Sequence, residues 1–244
     1  MPKDDLAALR GVPSYVWREG QERRLNLIAK WAKLDGATVL EAGGGVGMYA
    51  AQIGQRYEAQ VELFDIEWPF ALKASENTPH AIVAATESLP YRSNVFDTIL
   101  SHEVIEHVAN DRQTAREMVR VLKPGGRIVL FCPNRWYPFE THGHYWQGDY
   151  HFGNTPLINY LPDVWRNKLA PHVRAYSWRG IRGLFADQNV KFVHHHRVYG
   201  AYDNLIQRLG TPMRVMRDAL QKLDGTPLDT WGLSHFLVVE KTGE

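Results

Sequence analysis

Val39–Ala50, VLEAGGGVGMYA, decides the fold. The residues that lead into it, Ala37–Leu40, are short, apolar and β-branched, and an Asp35-Gly36 turn signal precedes them. That pattern predicts a buried strand. Gly43, Gly44, Gly45 and Gly47 follow, and then Met48–Tyr57, which has helical composition. A strand, a glycine-rich turn and a helix make the first half of a βαβ unit, and glycines there remove the Cβ atoms that would keep a ligand off the backbone. A dinucleotide fingerprint, G-x-G-x-x-G, would need its third glycine where Met48 stands. The pattern present is E-x-G-x-G-x-G, with Glu41 at the end of the strand.

Outward from this turn the same alternation continues. A second strand is predicted over Gln60–Phe64, ending at Asp65-Ile66-Glu67, and a third over His80–Ala84. The fourth is Phe96–Ser101, with His102 and Glu103 just past its end. Asp111–Leu122 has amphipathic helical spacing; Lys123-Pro124-Gly125-Gly126 stops it, and Arg127–Cys132 is the fifth strand. Strands alternating with helices imply a parallel sheet. Before the first strand, Tyr15–Leu34 reads as a helix with Trp17, Leu25, Ile28 and Trp31 on one stripe. After the fifth come a short helix over Ser177–Gln188, a strand over Lys191–Tyr199 and a helical pair over Asp203–Leu223 broken at Gly210-Thr211-Pro212. A last strand is read over Trp231–Glu240.

Three blocks carry a family resemblance: Glu41–Gly47, the run ATESLPYRSNVFDTILSHEVIEHV at 85–108, and VLKPGGRIVL at 121–130. They resemble class I S-adenosylmethionine (SAM)-dependent methyltransferases of the type 11/12-like group. The resemblance implies a Rossmann-like, doubly wound seven-stranded α/β sheet, mostly parallel with its last strand antiparallel. It implies SAM as cofactor and S-adenosylhomocysteine as product. Glu41 would lie near the amino group of the methionine moiety, with Gly43, Gly45 and Gly47 passing under the cofactor. A carboxylate suits a ligand bearing an ammonium and a sulfonium. Asp65, about twenty residues past the glycine turn, is placed to accept from two ribose hydroxyls, with Ile66 beside it. Where the family carries an adenine-contacting acid or amide this chain has Ala85, so Thr86, Glu87 or a backbone group must supply that contact. Ser101 and His102, at the end of the fourth strand, would flank the sulfonium.

Pro133–Arg174 breaks the pattern. It holds Trp136, Tyr137, Phe139, Tyr145, Trp146, Tyr150, Phe152, Tyr160 and Trp165, together with His142, His144, His151 and His172, between four prolines. It is too aromatic for a linker and too broken for one helix, and reads as a substrate-binding insertion. Methyl transfer from a sulfonium asks the protein mainly to hold nucleophile and methyl together and exclude water, plus a base where the acceptor has a proton to lose. His102 is the first candidate base; His142 and His144, at the mouth of the crevice, are the others, since imidazole suits hydroxyl deprotonation near neutrality. Glu140 is a further candidate or a turn cap. Glu103-x-x-Glu106-His107 could share a surface and, with His142 or His144, bind a divalent ion; structural bonds for these groups, and no metal, are the preferred reading. His194-His195-His196 lies inside a strand, where alternation sends His195 to one face and its neighbours to the other.

The 244 residues fit a single domain: a helical cap (1–36), a SAM-binding core (37–132), the insertion (133–176) and the C-terminal part of the sheet with its helices (177–244). Residues 1–14 read as polar and ragged. A net charge of +1 gives no footprint for nucleic acid, and the single cysteine, Cys132, allows neither an intrachain disulfide nor a cysteine-cluster metal site. No apolar run has membrane-spanning length and no signal core opens the chain, so a cytoplasmic location is expected. The expected activity is SAM-dependent methylation of a small-molecule acceptor at a hydroxyl oxygen, either of a phenolic or quinone-like metabolite or of a sugar in a glycan precursor. The rivals are an RNA or protein methyltransferase, a non-catalytic SAM-binding regulator, and, last, a nicotinamide-dependent oxidoreductase. A homodimer through the C-terminal helical pair is an open expectation.

Overall fold

A computed structural model describes residues 15–243; the reading of residues 1–14 lies outside them. The chain opens on helix α1 (Glu19–Trp31), shorter at both ends than its periodicity predicts. It then runs through β1 (Thr38–Ala42), α2 (Met48–Tyr57), β2 (Gln60–Asp65), α3 (Trp68–Ala74), β3 (Ala81–Val83), β4 (Phe96–His102), α4 (Asp111–Val121) and β5 (Leu122–Pro133). The insertion supplies two short ribbons, β6 (Phe139–Glu140) paired with β9 (Thr155–Pro156), and β7 (His144–Trp146) paired with β8 (Asp149–His151). A single helical turn at Ile158–Tyr160 and α5 (Asp163–Leu169) complete it. Helix α6 (Trp178–Gly183), β10 (Val190–Val198), α7 (Asp203–Leu209), α8 (Thr211–Gln221) and β11 (Ser234–Lys241) end the fold.

Seven strands form one sheet in the order β10-β11-β5-β4-β1-β2-β3. Strand β11 runs antiparallel to both of its neighbours, while β1 to β5 pair in parallel. The order reverses at β1, with β4 on one side and β2 on the other, so a crevice opens past the carboxyl ends of these strands. Both faces are covered, which is why the strands read as continuous apolar runs. Val39, Leu63, Leu100, Val129, Phe131 and Phe236 pack with Leu25 and Ile28 of α1 and Ile53 of α2. Their neighbours Leu40, Ile99, Ile128, Leu130 and Leu237 face Ala115 and Met118 of α4 and Ile181 and Phe185 on the opposite side.

Four sequence expectations change in detail. The Lys123–Gly126 run ends α4 as expected, but β5 begins at once at Leu122 and the run is absorbed into it, with a register shift against Phe96–Thr98. A Cβ on Gly126 would meet the Asp97 carbonyl at 2.9 Å, so the close crossing of β4 fixes a glycine there. Helix α6 stops at Gly183 instead of reaching Gln188. The last strand starts at Ser234, because Pro227–Trp231 coils into a short helical turn capped by Thr226. The third strand is reduced to Ala81–Val83 at the sheet edge. Among the described residues no helix is long and apolar enough to cross a membrane.

Candidate functional site

A cleft of about 900 Å3 lies over the switch point, walled by the glycine turn, the ends of β2 and β4, and the insertion. Its first end is built from backbone. Gly43, Gly45 and Gly47 all have φ between +56° and +78°, where a side chain is strained. A Cβ on Gly43 would also meet the Val104 side chain at 2.7 Å, and one on Gly44 would meet Leu63 at 2.5 Å. Two acids fasten this turn. Glu41 Oε2 accepts from the Ala50 N–H at 2.7 Å, capping α2 from beneath. Burial pushes the Glu41 carboxyl up to about 8, with the Ala50 N–H opposing. Asp65 accepts from Gly45 N–H through one oxygen and from Glu67 N–H through the other, both at 2.9 Å. The carboxylate thus ties the end of β2 to the glycine turn, and Asp65 lines the cleft together with Ile66, Glu67 and Phe70.

Farther along the cleft lie Phe64, Ala84, Ala85, Thr86, Glu87, Val108 and Ala109. The Thr86 hydroxyl bonds Thr114 Oγ1 at 2.9 Å and Glu87 Oε2 at 3.1 Å, and Glu87 Oε1 accepts from Asn110 N–H at 3.1 Å. Both polar groups named for this end are thereby positioned by α4 and its cap. Ser101 is fully buried within β4, and Gly47 is the N-cap of α2; neither lines the cleft.

His102 lines the cleft but is held from below. Its Nε2 sits against the Arg24 guanidinium, with Tyr49 Oη at 3.5 Å and the Phe131 ring 5.3 Å away between centroids. Burial, then the Arg24 charge, pull its pKa down to about 3, so the ring is neutral and a weak base. Arg24 also donates to Glu103 Oε1 at 3.2 Å, and Ser234 Oγ donates to the same oxygen at 2.7 Å. Glu103 adopts φ +55°, a sparsely populated conformation for a residue with a side chain. Against its burial, Arg24, His102 and Ser234 hold its pKa at about 2. Arg24 escaped the sequence reading although its signal was there. Trp17, Gln21, Arg24, Ile28 and Trp31 share one helical stripe, and polar residues inside an apolar stripe mark a buried polar contact. Gln21 lines the cleft too.

The second end belongs to the insertion. Thr141, His142 and Phe152 face the cleft opposite Glu103, His107 and Val108. His142 Nδ1 lies 3.1 Å from Glu140 Oε1, which also accepts the His142 backbone N–H at 3.0 Å. Arg166 donates to the other Glu140 oxygen at 2.8 Å. His144 is not in the cleft: it bonds Thr155 Oγ1 at 3.1 Å and stacks on His151. Glu106 is 1 % exposed, neither of its oxygens meets a hydrogen-bond donor among the described residues, and burial together with the neighbouring Glu103 raises its pKa. Glu106, His107 and His142 bring ligand atoms within 4.8 Å of one another, and the His107 Nδ1 edge is 3.3 Å from the His172 carbonyl. The acid-acid-histidine spacing therefore divides: Glu103 turns to Arg24, whereas Glu106 and His107 meet His142. The aromatic side chains of the insertion also divide, Tyr137 and Tyr145 being half-buried while Trp146, Phe152 and Trp165 stand more than half exposed.

Residues 40–130 match a family model described as a methyltransferase domain. The chain is 36% identical over 108 residues to an uncharacterized methyltransferase of Mycobacterium sp. (strain JLS), covering 44% of this chain and 43% of that protein. It is 25% identical over 162 residues to the 2-methyl-6-phytyl-1,4-hydroquinone methyltransferase of Synechocystis sp., covering 63% and 49%. The chain thus spans less than half the length of these curated relatives. Among solved structures, the geranyl diphosphate C-methyltransferase of Streptomyces coelicolor A3(2), in complex with Mg2+, geranyl diphosphate and S-adenosylhomocysteine, superposes with a TM-score of 0.61. It is 15% identical and covers 91% of this chain and 81% of that one, a likeness of fold. The glycine turn, the sheet order and the matched segment agree: over residues 40–130 the chain is similar to the class I SAM-dependent methyltransferases.

Proposed function

We propose that this protein transfers a methyl group from SAM to a hydroxyl oxygen of a small-molecule acceptor. The observation that carries the reading is one continuous cleft with two differently built ends: a glycine-and-acid cradle, and an insertion wall presenting His142. The cradle fits SAM on its own chemistry. Gly43, Gly44 and Gly45 line the cleft without side chains, and the Asp65 carboxylate, which fastens this turn, lines it beside them where a ribose would lie. Bound SAM supplies an electrophilic methyl on a cationic sulfur. The chain's own residues bind, orient and screen. Phe64, Ile66 and Phe70 exclude water along the cleft, while Thr86 and Glu87 stand at the adenine end. His102 is a poor proton acceptor as placed and is read as a cofactor-side contact. His142 is the group assigned to the acceptor: its Nε2 would take the hydroxyl proton as the oxygen gains the methyl and the sulfur–methyl bond breaks, its electron pair staying on the departing S-adenosylhomocysteine. A net charge of +1 disfavours an RNA acceptor.

A second reading is favoured by the Glu106–His107–His142 cluster: a divalent ion there would hold the acceptor hydroxyl and lower its pKa, so that its proton would be lost to solvent and not to His142. Two imidazoles and a carboxylate fit such an ion, and the orphaned Glu106 oxygens point to an unmet partner. Calorimetric titration with S-adenosylhomocysteine, followed by an acceptor screen with and without Mg2+ or Mn2+, tests both readings. Turnover on hydroxyl acceptors in the presence of a chelator supports the base; turnover only with added ion supports the metal. No binding of either cofactor form to folded protein would overturn the methyltransferase reading.

A further inference from the structure

The insertion is arranged around a buried ion pair. Glu140 and Arg166 are each 2 % exposed, and their 2.8 Å contact is surrounded by bonds that satisfy the guanidinium. Arg166 Nη1 donates to the Val173 carbonyl at 2.8 Å and Nε to Asn159 Oδ1 at 3.3 Å; Asn159 in turn donates to the Phe139 carbonyl at 3.0 Å. A buried pair of this kind is a weak source of stability, because desolvation of two charges offsets their attraction. An aromatic segment has ample apolar side chains to fill the same volume, so what the pair contributes is geometry. That geometry ends on one ring. Glu140 Oε1 takes both the backbone N–H and the Nδ1 edge of His142, while Tyr150 Oη and His172 Nε2 bind the His142 carbonyl at 2.6 and 3.1 Å. Backbone and side chain of His142 are clamped from two ribbon strands and the turn that carries His172, and its Nε2 is left 3.9 Å from Glu106 beside the cleft.

We infer that Glu140, held by Arg166, is a positioning residue that fixes His142 in the tautomer with hydrogen on Nδ1 and keeps the Nε2 lone pair turned to the acceptor end of the cleft. A carboxylate paired with a guanidinium offers only lone pairs, so the ring nitrogen 3.1 Å from it must be the donor. The Thr141 hydroxyl, at 3.4 Å, is the weaker neighbour of the same nitrogen. Neutral imidazole has one N–H, and placing it on Nδ1 makes Nε2 the acceptor. The inference rests on the proposed function only for what Nε2 meets, a hydroxyl proton or an ion; the tautomer itself does not depend on it.

The test is two-dimensional 15N–1H NMR of histidine side chains in chelator-treated protein, with His142 assigned by its loss in His142→Asn. Expected are a protonated Nδ1 and an unprotonated Nε2 in the wild type and in Glu140→Gln, which keeps an acceptor oxygen. In the double variant Glu140→Ala/Arg166→Met, which leaves no buried unpaired guanidinium, the ring should redistribute toward the other tautomer. For turnover, kcat of the double variant should fall by roughly tenfold or more, with S-adenosylhomocysteine affinity within about twofold of wild type. A wild-type ring carrying its hydrogen on Nε2, or a double variant with tautomer and kcat unchanged, overturns the inference. Failure of the wild type to bind S-adenosylhomocysteine would instead overturn the methyltransferase reading and leave the NMR result standing.

Discussion

The two ends of the cleft are made of different material. At the end formed by residues 37–132 the working surface is main chain. Glycines with positive φ carry it, two acids lock it by accepting backbone N–H groups, and the parallel sheet supports it from below. At the end formed by the insertion the surface is side chain, displayed on two-stranded ribbons only two or three residues long and held by a buried ion pair. A backbone cradle tolerates almost no substitution but can hold one ligand shape. A side-chain wall on short ribbons can be re-lined without disturbing the sheet. The contrast predicts that damage at the first end abolishes cofactor binding, and damage at the second spares it.

The largest effect is expected at the cradle. Gly43→Val places a branched side chain at φ +67° and drives it into Val104, so S-adenosylhomocysteine binding should become unmeasurable by calorimetry. Asp65→Ala should weaken it by about a hundredfold, since the turn loses its lock and the ligand its acceptor. Binding within about tenfold of wild type in that variant would mean the turn holds without it. Next is the core beneath. Phe131, fully buried and flanked by Phe236 at 5.0 Å, His102 and Arg24, should cost about 3–5 kcal/mol on truncation to Ala, read by chemical denaturation. Phe152→Ala, at 78 % exposure, should change stability by less than about 0.5 kcal/mol while raising the acceptor KM. A destabilisation comparable to that of Phe131 would erase the distinction between core and wall.

A pH-dependent effect, below that of Phe131, belongs to the sheet behind the insertion. His235 is buried between His195 and the Tyr176 carbonyl, to which its Nε2 donates at 2.8 Å. Burial, opposed in part by that carbonyl and reinforced by Arg197, lowers its pKa to about 4. The unfolded chain therefore takes up the proton first on acidification. The stability tied to neutral His235 is complete above about pH 6.5 and is lost progressively as pH falls toward 4, amounting to about 2 kcal/mol at about pH 5. His235→Gln should flatten the fall in melting temperature between about pH 7 and pH 5, and an unchanged slope would assign the pH dependence to other groups.

What could be read in advance follows the same division. The glycine run, Glu41, Asp65 and the alternating apolar strands are local patterns tied to backbone geometry, so the sheet and the first end of the cleft were legible. The insertion was legible only as a departure. Nothing in the spacing of Glu140, His142 and Arg166 shows that a helix 23 residues after β6 returns to clamp the histidine. Glu103 looked like a fellow ligand of Glu106 and His107 because all three share one turn; at φ +55° its carboxylate, though still beside Glu106, is taken by Arg24 and Ser234. His144, one position from Gly143 and two from His142, was placed with His142 by proximity along the chain, yet the start of β7 turns it to Thr155.

The most direct test is a calorimetric titration with S-adenosylhomocysteine of three proteins: wild type, Asp65→Ala and His142→Ala. The account predicts micromolar binding by the wild type, loss in Asp65→Ala, and retention in His142→Ala together with lost turnover on hydroxyl acceptors. No binding by folded wild type, or equal loss in the two variants, would contradict a cleft divided into a cofactor end and an acceptor end.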